Sequence, residues 1–181
     1  YVGTGRMGGG YIRTYNNSGR ETSYLGTGSD NSGQLRIYDK LGETRSYIGD
    51  GYLQAYNQFG ERTIFLGTGT NGGGYLRTYN FSGQESIYVG TGADSSGQIR
   101  IYDNSGETGS FLGSGYFRTY NRFGKLTTFI GNASDGGGYL RTNNKFETET
   151  VFLGTNNANE GLINLNDKFG QSFWIRLNKK N

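Results

Sequence analysis

Six arginines recur at matching places along the chain, Arg13, Arg36, Arg77, Arg100, Arg118 and Arg141, and tyrosines flank them. The fullest sets are Tyr11, Arg13 and Tyr15, then Tyr75, Arg77 and Tyr79, then Tyr116, Arg118 and Tyr120. A guanidinium fork grips carboxylate, sulfate or phosphate, and an aromatic face stacks on a sugar ring or on a cation. These residues could therefore present a glycan or polyanion surface. They could equally support themselves, with Tyr on Tyr in neighbouring rungs and Arg lying over rings or bonding to glutamate. A stripe that returns on every rung favours the self-supporting role.

Catalysis has little to draw on. Histidine and cysteine are both absent, which removes the usual general base, the thiolate nucleophile and the commonest metal ligands. Glu21, Glu43, Glu61, Glu85 and Glu107 each follow a turn glycine by one or two residues. Paired acids could cleave a glycosidic bond, but acids at equivalent positions of a repeat read better as neutralising the arginine ladder. Glycine-rich stretches such as Gly69 to Gly74 lack the following helix or Lys-Ser/Thr of a phosphate loop. Asp30, Asn31, Asp94 and Asp135 could hold calcium only weakly, with one or two carboxylates in each loop. Thr14, Thr78, Thr119 and Thr142 stand singly rather than in the paired arrays that bind ice. No enzyme, cofactor or resident metal is expected.

The elements that carry these residues form a repeat of repeats. Units open at Tyr1, Tyr24, Tyr47, Phe65, Tyr88, Phe111, Phe129 and Phe152, with spacings of 23, 23, 18, 23, 23, 18 and 23 residues. Residues 1–64 align on 65–128 without gaps, and a third, truncated copy occupies 129–181 with a C-terminal cap. The short units lack five residues between two glycines, as Gly28 to Gly33 against the single Gly51 shows. A loop is cut out while the framework stays.

In each unit a segment such as Tyr75 to Asn80 alternates with period two and is rich in Tyr, Thr and Leu, which predicts a strand. It ends in an Asn/Asp-x-x-Gly turn, as at Asn16 to Gly19, Asp39 to Gly42, Asn80 to Gly83 and four further places, with Glu147 alone replacing the glycine. Asn or Asp bonds to the backbone two residues on, and Gly accepts positive φ. A second strand follows, as at Glu21 to Leu25, closed by Gly26. The face carrying Ile12 and Thr14, Leu35 and Ile37, or Leu76 and Thr78 is expected to be a narrow interior, and the Tyr/Arg face the wet side. Near the C-terminus, Phe173 and Trp174 sit where a cap over the last apolar rung belongs.

Only 32% of the 181 residues are apolar, and the mean hydropathy is -0.69. A thick core is not expected. Isolated units bury too little to offset the ordering of their own chain, so stability must come from stacking or from sharing one core between copies. The net charge of +3 does not point to nucleic acid, and no segment has the ~18 continuous apolar residues of a membrane helix. A start at Tyr1 without initiator Met or signal peptide reads as a fragment or processed product.

The recurring Gly-x-Leu-x-x-Tyr-Asn-x-x-Gly pattern with its Leu-Gly end resembles the strand-and-turn repeats of trimeric β-helical fibres, found in phage tail fibres and phage-derived injection machines, and those of bacterial repeat adhesins. Ile37 to Gly42 and Ile101 to Gly106 also resemble YD-repeat shells, and the 23-residue spacing resembles MORN repeats. The 18-residue units and the recurring Asn-x-x-Gly depart from both. The fibre resemblance implies homotrimers at a cell surface, outside the cell or on a virion, with receptor recognition at a tip. The expected fold is thus all-β, an elongated β-helix or β-solenoid of about eight units of 18–23 residues, in an intertwined homotrimer. The expected function is a fibre shaft that supports attachment to a surface. The alternative is a monomeric lectin or adhesin that binds glycans through the Tyr/Arg face.

Overall fold

The computed structural model describes residues 1–177 apart from Arg6, Met7, Asn71, Asp135 and Asn157, and the backbone alone at 174–177. The chain divides into two units, Tyr1–Thr91 and Gly92–Asn181. The first holds β1 (Val2–Thr4), β2 (Gly10–Tyr15), β3 (Glu21–Thr27), β4 (Gly33–Tyr38), β5 (Thr44–Gly49), β6 (Tyr52–Tyr56), β7 (Arg62–Thr68), β8 (Gly74–Tyr79) and β9 (Glu85–Thr91). The second holds β10 (Gly97–Tyr102), β11 (Thr108–Gly113), β12 (Tyr116–Tyr120), β13 (Leu126–Asn132), β14 (Gly138–Asn143), β15 (Glu149–Thr155), β16 (Gly161–Asn166) and β17 (Ser172–Leu177).

In both units each strand pairs antiparallel with its neighbour in sequence, so the ladder advances hairpin by hairpin. The expected all-β repeat is what the chain forms. Its strands are short because turn chemistry interrupts the Tyr, Ile, Leu and Thr runs at fixed intervals.

One edge of each unit carries the Asn/Asp turns. At Asn80 the backbone N–H of Gly83 donates to the Asn80 carbonyl at 3.0 Å, and the Asn80 N–H donates to the Gln84 carbonyl at 2.8 Å. The Asn80 Oδ1 accepts from the N–H groups of Ser82 at 2.9 Å and Gln84 at 3.0 Å. Gly83 takes φ +76°, open to glycine at no cost. Next to each of these turns the register shifts by a bulge, as between Thr78 and Tyr79. Where Asp replaces Asn the same acceptor works, and at Asp103 the Ser105 hydroxyl and N–H hold the carboxyl below its ordinary value. Asn80→Ala is expected to cost about 1–2 kcal/mol, chiefly through the two backbone N–H bonds its Oδ1 accepts, beside the longer bond its Nδ2 donates to Gln84 Oε1 at 3.3 Å, while Asn80→Asp stays near neutral. Urea denaturation of the two variants checks this.

The opposite edge explains the two unit lengths. In the 18-residue units the strands are joined by two residues, Asp50-Gly51 at φ 50° and 77° and Ser114-Gly115 at φ 50° and 81°, the positive-φ pair of a type I′ hairpin. In the 23-residue units a five-residue loop takes that place, as at Gly28 to Ser32, where the Gly28 N–H donates to the Ser32 carbonyl at 2.7 Å.

The two faces of the sheet differ from expectation. Ile12, Leu25, Ile48 and Leu66 are 46%, 51%, 46% and 50% exposed, so the face expected to be interior is open within the single chain. The one buried apolar side chain among the described residues is Phe129, at 6%, on the arginine face. Alternation alone makes that face the wet side, but its tyrosines and arginines within the described residues are half-buried, apart from the exposed Tyr1 and Tyr15 at 72% and 48%. The reason is geometric. A meander is one layer thick, so aliphatic side chains standing off it gain only partial cover, Leu35, Leu53 and Leu76 being half-buried beside their exposed neighbours, whereas long flat rings lie down along the sheet and cover each other.

Candidate functional face: the arginine and aromatic ladder

Strand pairing sets arginine opposite an aromatic residue at nearly every step. In the first unit the row runs Arg13, Tyr24, Arg36, Tyr47, Gln54, Phe65, Arg77, Tyr88. In the second it runs Arg100, Phe111, Arg118, Phe129, Arg141, Phe152, Asn164. A parallel row, two residues along each strand, alternates a long side chain with glycine: Tyr11 lies opposite Gly26, Tyr52 opposite Gly49, Tyr75 opposite Gly67 and Gly90, Tyr116 opposite Gly131.

These glycines make room for rings. A Cβ on Gly67 would lie 2.7 Å from the Cβ of Tyr52 and 2.9 Å from the ring of Phe65. With only hydrogen there, rings of the two rows interleave as Tyr47, Tyr52, Phe65, Tyr75 and Tyr88, with centroids 5.1–5.8 Å apart. The second unit repeats this through Phe111, Tyr116, Phe129, Tyr139 and Phe152 at 4.7–5.6 Å. Offset stacking at such spacings is favourable beyond the area it buries.

The guanidinium groups complete the layer. Arg13 lies 4.6 Å from the Tyr11 centroid and 5.3 Å from Tyr24, Arg77 lies 4.7 Å from Tyr75, and Arg118 lies 4.2 Å from Tyr116 and 5.4 Å from Phe129. Arg13 also pairs with Glu21 at 3.3 Å and Arg77 with Glu85 at 3.5 Å. Arg36 and Arg100 donate to Gln34 and Gln98 at 3.0 and 3.3 Å. The Nε of all six ladder arginines is buried without a hydrogen-bond partner. Burial works against the charge of Arg77, yet the Glu85 carboxylate and the Tyr79 hydroxyl hold its pKa above the ordinary value. Tyr15 and Tyr79 border the ladder, and Tyr120 lies opposite Leu126 across the bulge.

Burial among its neighbours, with Tyr52 and Asp50 close by, pushes the Tyr47 hydroxyl from 10.0 up to about 12. A phenol whose pKa is raised in the folded chain ionises first in the unfolded one. Stability is therefore intact below pH 10 and falls as the pH climbs from 10 towards 12. Thermal melts across that window should show a loss that Tyr47→Phe reduces.

Of the carboxylates singled out in the sequence, Glu21 and Glu85 meet ladder arginines, while Glu61 accepts from Asn57 Nδ2 at 3.1 Å. Thr14, Thr78, Thr119 and Thr142 lie on the open aliphatic face and pair with hydroxyls of Thr22 and Ser23, Ser86, Thr127 and Thr150 at 2.6–3.1 Å. Asp30 and Asp94 are held by Ser32 and Ser96, whose hydroxyls donate at 2.8 and 2.7 Å. Asn31 takes φ 67° in its loop, and Asp135 lies outside the described residues. Among the described residues no three acids gather as metal ligands. Phe173 is 67% exposed, and Trp174 lies opposite Leu165 in the backbone register, its side chain outside the described part of the chain.

Sequence reasoning missed the tips of the Asn/Asp turns. Phe59, Phe123, Phe146 and Phe169 occupy the third turn position and are 75%, 67%, 75% and 72% exposed. Arg122, Lys145 and Lys168 lie over the rings of Phe123, Phe146 and Phe169 at 4.8, 4.9 and 4.8 Å. A groove of 660 Å³ separates the Lys145-Phe146 and Lys168-Phe169 turns. The signal was present as a cation-aromatic pair inside three turns spaced 23 residues apart.

The chain matches no protein-family model and no curated protein. Among solved structures it is similar to a chain of the Tc holotoxin pore of Photorhabdus luminescens, at 12% identity and a TM-score of 0.26. The match covers 92% of this chain and 12% of that one, so this chain spans about an eighth of the neighbour's length. A likeness this weak carries no weight for function.

Proposed function

We propose that this chain is a structural segment of an extracellular or virion-associated fibre, a non-catalytic shaft that supports attachment to a surface and assembles from identical copies as a trimer. The observation that carries this reading is the internal use of the arginines. Each ladder guanidinium is engaged by rings, and several also by glutamate or glutamine, of its own unit. A row in which arginine supports its own neighbours at each repeat does the work of a scaffold, because binding a polyanion would first require withdrawing those groups from their partners. Light scattering coupled to size exclusion, with sedimentation alongside, tests it. A trimer of high frictional ratio is expected, and a compact monomer would overturn the shaft.

A second reading, attachment to glycans, gains support from the turn tips rather than from the Tyr/Arg face. An exposed ring beside a cation is a platform for a sugar and its acidic substituents. Under this reading a glycan array binds the protein, and Phe146→Ser with Phe169→Ser abolishes the signal. Serine already occupies the same turn position at Ser18 and Ser105, so those variants should fold. Loss of binding only when Tyr75, Arg77 and Tyr79 are changed would return the site to the ladder.

A further inference from the structure

We infer that the open aliphatic face is the surface on which a further copy of this chain seats, and that this contact builds the shared core. The inference rests on the self-assembling shaft proposed above and names the face responsible. In the first unit one row crosses the sheet as Ile12, Leu25, Leu35, Ile48, Leu53 and Leu66, each directly opposite the next. The neighbouring row on the same face mixes aliphatic residues with Thr, Ser and Ala, so neither row carries a charge from β2 to β9. The second unit repeats the pattern through Ile99, Leu112, Phe117, Ile130, Leu140 and Leu153.

Three observations select a second copy as the occupant. The first is area. The chain exposes 12050 Å², where a filled monomer of its 19.9 kDa exposes about 8,700 Å². The surplus of roughly 3,000 Å² falls in the range buried by obligate homo-oligomers. The second is period. Side chains standing one per strand, about 4.8 Å apart, interdigitate best with a surface of the same spacing, and another copy of the repeat has it. The third is relief. The face is a trough rather than a plane, 830 Å³ in the first unit along Ile48, Leu53, Leu66, Leu76 and Val89, and 890 Å³ in the second along Ile130, Leu140, Leu153 and Ile163. Apart from Asp50 in the hairpin at the rim of the first, the residues lining the two troughs carry no charge, so they offer a strongly acidic or basic partner little to pair with, and sheet-on-sheet packing fills such relief with side chains from both layers. The ring face is already covered by its own aromatics, which leaves this one unfilled.

The test replaces Leu25, Leu53 and Leu66 together by threonine, a strand former that already stands on this face at Thr14 and Thr78. Losing three buried leucines is expected to weaken self-association by at least about a thousandfold, giving a monomer that keeps its strand signature in circular dichroism. Should the triple variant unfold, a second measurement decides. The chain has no cysteine, so Leu66→Cys and Ser82→Cys each place one thiol, on the face and at a turn tip. In the assembly the thiol at 66 should react with a maleimide at least about tenfold more slowly than that at 82, and the difference should vanish on dilution to monomer. An assembly that survives the triple substitution, or equal reactivity of the two thiols within it, overturns the assignment of the face and leaves the shaft standing. A wild-type chain that stays monomeric at all concentrations overturns both.

Discussion

Gly131→Val should destabilise the second unit by about 3 kcal/mol, whereas Gly138→Ala, seven residues on, should be neutral or slightly stabilising. A Cβ at Gly131 would lie 2.5 Å from the Cβ of Tyr116 and 3.0 Å from both its Cα and the Gly115 carbonyl oxygen. Two of those three atoms are backbone, so no rotamer change relieves the clash and β12 itself must shift. A shift of β12 also moves Tyr116, which stacks between Phe111 at 5.2 Å and Phe129 at 5.6 Å. At Gly138 nothing lies within 4 Å of the point where a methyl group would stand, and φ is not positive, so alanine there only removes disorder from the unfolded chain. Urea midpoints of the two variants separate glycine as a requirement of packing from glycine as composition. Equal losses at both sites would remove the ring-on-glycine account of this face.

Ring-on-glycine packing also marks where the sequence stops being legible. Strand and turn are readable because both depend on residues within one unit: the run Tyr75 to Asn80 is β8 and its turn, and the five residues missing from the short units shorten a five-residue loop to a two-residue hairpin and remove one strand pair, that of Thr27 with Gly33. Alternation further separates Ile12 and Thr14 from Tyr11, Arg13 and Tyr15. It does not reveal which of the two faces is covered. Cover depends on Tyr75 standing between Gly67 and Gly90, on strands before and after its own, and that relation exists only once the register is known. Hydrophobicity alone assigns the aliphatic residues to an interior, yet a single layer has no interior on either side until rings lie flat or another layer arrives. The turn-tip phenylalanines escape for the converse reason: residue type argues for burial, and only their position at the third residue of a tight turn holds them in solvent.

Phe129→Ala should cost about 3 kcal/mol, the largest loss expected for any single side chain on the ladder, while Phe129→Tyr should change stability by less than about 0.5 kcal/mol. Phe129 is 6% exposed and stacks between Tyr116 at 5.6 Å and Tyr139 at 4.7 Å, with Arg118 and Arg141 at 5.4 and 5.9 Å from its centroid. Alanine leaves both tyrosines with an open flank and both guanidinium groups without the ring between them. Tyrosine is tolerated because the repeat already uses it at the equivalent position: the hydroxyls of Tyr24 and Tyr88 each donate to a backbone carbonyl three residues on, at Thr27 and Thr91, at 2.7 Å. The same geometry places the Asn132 carbonyl within reach of a hydroxyl at 129. Because Arg118 has no ion pair among the described residues, a cycle pairing Phe129→Leu with Arg118→Met isolates the cation-aromatic contribution, expected at about 0.5–1 kcal/mol. A coupling near zero would assign the stability of this face to ring burial alone and free Arg118 for contact with an external anion; a coupling of the expected size ties that arginine to the scaffold.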